Sequence, residues 1–286
     1  MVFMNCLICD NILDEKEIAH RMTHTCTSCG FFKTKNKTKE SNTYKSEFWE
    51  KSDYSEFTGT DFTNKKVKDL RLTFESWYSY FRPFLKNKKS ILDIGSGTGI
   101  SCILLENEGF EMTGVDPDPK NAKLINSKLK NGKCINCFFE ELKIDERVDV
   151  IWITHVFEHL ENPDEFLGKC KQWIKPDGII CLIVPDCGNP SMLESSVSNQ
   201  YHIFHFNKNA LKKLFDKHNY EIIKCESFAT MKKTDRRFHN VLRKVKVENI
   251  SSAKKPYYPF ELTVNNDGYE IRCVIKYKDT KNQNFS

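Results

Sequence analysis

The sequence predicts an α/β fold: a mostly parallel β-sheet with helices on both faces, preceded by a small cysteine-bound module. Three observations predict it. Short apolar strands alternate with amphipathic helices from Ser90 to Val184. A glycine-rich turn closes the first of those strands, and two C-x2-C pairs lie at the N-terminus.

The elements follow in order. Cys6 and Cys9 form one pair and Cys26 and Cys29 the other, with 16 residues between the pairs. That spacing is a strong zinc signal. Four thiolates close a tetrahedral shell and leave no open coordination position, so the expected site is structural. Iron uses the same spacing, and zinc and iron both remain open at this point. A segment of about 30 residues cannot bury enough apolar surface to fold alone, so bound metal would supply the missing stability. Cys134-x2-Cys137 has no partner pair and falls in a predicted strand, so it reads as ordinary strand sequence.

Residues 33–64 read as a polar linker with short helical pieces. From Lys65 to Leu85, Val67, Leu70, Phe74, Trp77 and Phe81 recur at helical spacing, and Pro83 should end or bend the helix. Ser90–Ile94 is a first strand, Gly95–Gly99 a turn and Ile100–Glu108 a helix. Glu111–Val115 is a second strand, Pro119–Lys130 a second helix, Cys134–Phe139 a third strand and Val148–Thr154 a fourth. Asn162 can cap the next helix, with Pro163 at its first position and Asp164 and Glu165 at its positive end. Lys175-Pro176-Asp177-Gly178 should terminate it. Ile179–Val184 is apolar throughout, as a central parallel strand requires. Lys208–Lys217 is a further helix, and Glu221–Glu226 and Glu270–Tyr277 are further strands.

Composition bounds the function. At 286 residues the chain has room for about two domains at roughly 150 residues each. Its 39% hydrophobic and 12% aromatic content excludes a disordered chain. No apolar run approaches the ~20 residues of a membrane span. The first residues lack a basic and apolar leader, so a cytoplasmic location and reduced cysteines are expected. Charge is uneven: residues 33–45 carry net +4 and residues 231–255 net +7, leaving −6 on the rest of a chain whose total is +5. The two basic segments are either solvated surface or contacts for an anionic partner.

The glycine turn carries the chemistry. Asp93-Ile94-Gly95-Ser96-Gly97-Thr98-Gly99 joins a strand end to a helix start. Glycines there let a ligand approach the backbone closely. The spacing is G-x-G-x-G; a dinucleotide fingerprint would need glycine where Ile100 stands. Asp116 closes the second strand, where a carboxylate can accept both hydroxyls of a ribose.

These residues resemble the class I S-adenosylmethionine-dependent methyltransferases. So do Val148–Thr154 with His155, Glu158 and His159 after it, the Lys175-Pro176-Asp177-Gly178 turn, and His202-Ile203-Phe204-His205-Phe206, which is similar to a segment of the small-molecule and glycan branch. The likeness covers roughly residues 44–230. It implies a Rossmann-like seven-stranded, mostly parallel sheet with a reversed last strand, and residues 231–255 as a basic insertion before that strand. The implied domains are a four-cysteine zinc ribbon at 1–32, a linker with N-terminal helices at 33–85 and the methyltransferase domain at 86–286. The resemblance further implies a cofactor held by Asp93, Gly95, Gly97, Gly99 and Asp116, with Glu140 or Glu141 near the adenine. Thr154 and His155 would lie where the fourth strand meets the sulfonium.

A hydroxyl acceptor must also lose a proton, a role suited to histidine. His155, His159, His202 and His205 are the candidates, and His159 and His202 match histidine positions of the family. A loop-holding role for each is the alternative. The leading reading is O-methylation of a small-molecule or glycan-type acceptor. The alternatives are an RNA methyltransferase guided by the ribbon and the basic insertion, and a non-catalytic binding module. The strand ends in Thr154-His155 and lacks the sequences used to methylate bases, which disfavours nucleic acid.

Overall fold

The computed structural model describes residues 4–34, 65–230, 261–264 and 268–278. The expected linker pieces between 35 and 64 and the basic insertion 231–255 lie outside the described residues.

Among the described residues the main sheet has eight strands. In chain order they are β4 (Ser90–Ile94), β5 (Glu111–Asp116), β6 (Lys133–Asn136), β7 (Val148–Thr154), β8 (Ile174–Pro185), β10 (Tyr220–Thr230), β11 (Glu261–Val264) and β12 (Glu270–Tyr277). Their spatial order is β11-β10-β12-β8-β7-β4-β5-β6. Strands β6, β5, β4, β7 and β8 run parallel, and β12 lies antiparallel between β8 and β10. Seven strands are thus the expected sheet with its reversed last strand. β11 adds an eighth at the edge, antiparallel to β10.

Helices cover both faces. The alternation of side chains along β7 sends Ile151 and Ile153 to one core and Val150 and Trp152 to the other. The second face is covered by α1 (Lys65–Phe81), α2 (Ile100–Asn107) and α3 (Pro119–Asn126), through Phe74, Phe81, Leu105 and Ile125. α4 (Pro163–Trp173) and α6 (Lys208–Lys217) cover the first, through Phe166, Leu167, Leu211 and Phe215. Asn162 caps α4 as expected, accepting from the Glu165 N–H at 3.0 Å.

Three local readings are corrected. Lys175–Gly178 is not a turn: α4 stops at Trp173 and β8 runs from Ile174. A register shift in the β7–β8 pairing, between Val148 and Val150, absorbs the proline and glycine. α3 ends at Asn126, four residues earlier than the stripe suggested. β6 stops at Asn136, well short of Phe139.

The N-terminal segment forms β1 (Asp14–Ile18), β2 (Arg21–Thr25) and β3 (Phe32–Thr34). β3 pairs antiparallel with β9 (Phe204–His205), which belongs to the other part of the chain. The four-stranded sheet β1-β2-β3-β9 therefore bridges the two. The ribbon and the large sheet do not have separate cores. Cys6, Cys29 and Phe31 share one buried cluster with Phe204, Phe206 and Leu211. Polar contacts reinforce the seam: Asn207 Nδ2 donates to Gly30 O at 2.8 Å, and Asn209 Nδ2 to Cys29 O at 3.0 Å. Arg21 donates to the carbonyls of Val197 and Asn199 at 2.6 and 2.9 Å.

Candidate active site

The glycine turn stands at the carboxyl end of β4, between β4 and α2. Gly95 (φ 72°) and Gly99 (φ 76°) occupy the left-handed region. A Cβ at Gly95 would sit 2.4 Å from Val156, and one at Gly99 would sit 2.4 Å from Ile125. Both positions therefore require glycine for conformation and for space. The Gly97 N–H donates to Asp116 Oδ2 at 2.7 Å, so the turn is tied to the end of β5.

Asp116 is buried, and its second oxygen accepts from Asp118 N at 2.9 Å and Asn121 Nδ2 at 3.2 Å. Burial raises its pKa to about 6 against those stabilising bonds. Asp93, below the turn, is raised to about 7, again by burial, although the Cys102 thiol donates to it at 3.3 Å. Asn121 and Asn136 are the site side chains that sequence reasoning missed; Asn136 Nδ2 donates to Asp116 O at 2.9 Å. The expected third strand, Cys134–Phe139, made Asn136 internal, whereas β6 ends at Asn136. Glu140 has Glu165, Glu161 and Lys169 as its charged neighbours, along and just before α4.

A second cluster follows β7. Thr154 ends that strand, and His155 has a left-handed backbone, φ 53°, of the kind that marks functional or strained positions. Its ring packs on Trp77 and contacts Glu158 Oε1 at 3.5 Å and Glu270 Oε2 at 3.3 Å. Burial opposes its charge, but the two carboxylates outweigh burial and raise it to about 10. His155 is thus a cation held by α1 and β12, unsuited to take a proton.

Glu158 is 1% exposed. Neither of its carboxylate oxygens has a well-formed hydrogen bond among the described residues. Burial opposes its ionisation, but His155 and the neighbouring histidines hold it near 2. His159 and His202 meet edge to face with centroids 4.6 Å apart. One ring nitrogen or carboxylate oxygen from each of Glu158, His159 and His202 falls within 4.8 Å of the others. His159 Nδ1 lies 3.0 Å from Tyr201 O. A carbonyl only accepts, so Nδ1 carries the proton and Nε2 the lone pair of the neutral ring. His205 lies behind His202, fully buried. The structure thus brings His159 and His202 together; His155 shares Glu158 with them, and His205 lies behind His202.

In the ribbon, the four cysteine sulfurs lie within 4.8 Å of one another, with Cys6–Cys29 at 3.5 Å and Cys9–Cys26 at 3.4 Å. Zinc–sulfur bonds of about 2.3 Å in a tetrahedron put sulfurs roughly 3.8 Å apart, so this cluster fits such a shell. Cys134 and Cys137 join no such cluster among the described residues.

This combination of fold, glycine turn and strand-end acid defines an enzyme of the Rossmann-like type that takes an adenosine-containing cofactor. Residues 67–224, more than half of the chain, match the family described as a methyltransferase domain, and the chain belongs to that family. It is similar to a ubiquinone biosynthesis O-methyltransferase of Bradyrhizobium sp., 34% identical over 127 residues, covering 40% of this chain and 50% of the relative. The chain thus spans about half the length of that curated relative. Among solved structures it shares its fold with an S-adenosylmethionine-dependent methyltransferase from Archaeoglobus fulgidus (TM-score 0.53, 19% identity, 72% of this chain and 94% of that one). A second is a possible histamine N-methyltransferase from Thermotoga maritima (TM-score 0.52, 16% identity, 73% and 90%). No helix among the described residues is long and apolar enough to cross a membrane.

Proposed function

We propose that this chain transfers a methyl group from S-adenosylmethionine to a hydroxyl of a small-molecule or glycan-type acceptor in the cytoplasm. The observation that carries the reading is the placement of two clusters at the carboxyl ends of β4, β5 and β7. One is a glycine turn bonded to a buried strand-end acid; the other is a histidine pair in the loops that follow. The O-methyltransferase relative supports a hydroxyl as the acceptor group.

The cofactor, when bound, supplies a methyl group on a sulfonium. The turn from Gly95 to Gly99 offers its backbone to the methionine end, with Asp93 below it as counter-charge. Asp116 is the ribose acceptor. A carboxylate has about four acceptor positions, and three are used here, so one position on Oδ2, beside the Gly97 N–H, is left for a ribose hydroxyl. The His159–His202 pair takes the acceptor's proton as its oxygen attacks. Holding the acceptor in line with the methyl group contributes up to roughly 7–11 kcal/mol by positioning. The four ribbon cysteines hold one structural zinc, and residues 1–32 serve as a ribbon that braces β9 and the loop carrying His202.

The test offers wild-type protein methyl-labelled S-adenosylmethionine with small phenols, with hexosides and, separately, with total RNA. Label on a phenolic or sugar oxygen is the expected result. Label in RNA alone would replace this reading with the nucleic-acid one.

A further inference from the structure

A string of polar side chains runs from the N-terminal sheet to the histidine pair, through the protein interior. Thr34, the last residue of β3, is hydrogen-bonded through Oγ1 to His205 Nε2. His205 Nδ1 lies 2.8 Å from Ser196 Oγ, and the same hydroxyl lies 2.8 Å from His202 Nδ1. Thr34, Ser196 and His205 are all buried. The string ends at His202 Nε2, which faces Glu158 Oε1 at 4.0 Å.

Burial holds both histidines neutral, His202 near 4 and His205 near 3. Each ring then has one proton, as each hydroxyl has one. The string therefore admits two consistent directions. In one, the Thr34 hydroxyl donates to His202 O, which lies at 3.3 Å, and His205 Nε2–H donates to Thr34. The Ser196 hydroxyl then donates to His205 Nδ1, and His202 Nδ1–H donates to Ser196. His202 Nε2 is left with a lone pair. In the other direction every bond reverses, His202 O loses its donor, and Nε2–H points at Glu158 from beyond hydrogen-bond reach. The first direction satisfies more groups. It also leaves the His202 lone pair and the Glu158 carboxylate converging on one space, which a proton donor such as the acceptor's hydroxyl would complete.

We propose that Thr34 of β3, acting through His205 and Ser196, fixes His202 in the tautomer with its proton on Nδ1 and its lone pair facing the acceptor. Thr34 is thus a positioning residue 168 positions away in sequence. The N-terminal sheet thereby sets the protonation geometry of the site as well as bracing it. The proposal rests on the reading of the histidine pair as the base.

Nitrogen-15 spectra of histidine-labelled full-length protein test it, with the His202 signals assigned by their loss in His202→Ala. Wild type and Thr34→Ser should show His202 protonated on Nδ1. Thr34→Val and Ser196→Ala should show the Nε2-protonated form or a mixture. Their turnover should fall on the order of tenfold or more at unchanged KM. Ser196→Ala keeps the test decisive should Thr34→Val not fold. An identical His202 tautomer in wild type, Thr34→Val and Ser196→Ala would overturn the proposal, as would a wild-type His202 protonated on Nε2. A shifted tautomer with unchanged turnover would support the string and overturn the reading of His202 as a base.

Discussion

Asp93 and Asp116 are carboxyls that burial keeps partly protonated near neutrality, at about 7 and about 6. A ribose that donates hydroxyl protons and a cationic methionine end both favour the ionised forms. Affinity for S-adenosylmethionine should therefore climb as pH rises through 6 and 7 and level off above. Calorimetric titrations across that range will show the rise, and Asp116→Asn should flatten its lower part. Stability of the ligand-free chain runs the other way. A raised folded pKa gives stability that is complete below the ordinary value of 3.8 and is lost as pH rises through the folded value. The thermal shift on adding cofactor should thus be larger at alkaline than at acidic pH.

The histidines give a second prediction at this scale. His159→Ala should reduce turnover by about 10²–10⁴-fold while leaving cofactor affinity nearly unchanged. Steady-state kinetics and calorimetry on the same variant separate the two. Normal turnover in both His159→Ala and His202→Ala would make the pair structural. His155 was legible in the sequence as one more candidate base. Its clamp by Glu158 and Glu270 was not, because Glu270 comes from a strand 115 residues further on.

At the scale of elements, Asp149 ties the amino ends of three strands. Its Oδ2 accepts from Lys89 N and Ser90 N at 3.0 Å each, and from Lys175 Nζ at 3.0 Å. Burial raises its pKa, and these bonds together outweigh burial and lower it to about 2. A depressed folded pKa gives stability that is present above 3.8 and is lost as pH falls through the folded value. Asp149→Asn should cost about 1–3 kcal/mol at neutral pH. Its denaturation midpoint should also vary less between pH 4 and 2 than that of wild type. Elements bounded by capping residues were readable from sequence, as Asn162-Pro163 shows for α4. α5 (Pro190–Ser198) carries the same signature, Asn189 accepting from Ser191 N at 3.0 Å, although no helix was expected there. Lys175–Gly178 misled because its residues compose a turn, whereas the pairing of Val148 with Ile174 holds it extended.

At the scale of the molecule, the parallel sheet and its ligand end were legible because each strand is a short apolar run closed by a turn or an acid. The docking of the ribbon was not. It depends on β3 meeting β9, and Phe31 meeting Phe204 at 5.7 Å, across a separation that no local pattern encodes. That continuity changes what metal loss should do. Cys26→Ser should lower zinc content, read by elemental analysis, and should also loosen β9 and α6, read as faster amide exchange at Phe204 and Leu211. Exchange confined to residues 4–34 would restore the picture of two separate cores.

The central claim is that the glycine turn and Asp116 hold S-adenosylmethionine. Calorimetric titration of the full chain with S-adenosylmethionine and, in parallel, with NAD tests it most directly. One S-adenosylmethionine should bind per chain, NAD should not, and Asp116→Ala should weaken binding by about 2–3 kcal/mol through loss of charge-assisted hydrogen bonds. Binding of NAD without S-adenosylmethionine, or undiminished S-adenosylmethionine binding in Asp116→Ala, would contradict it.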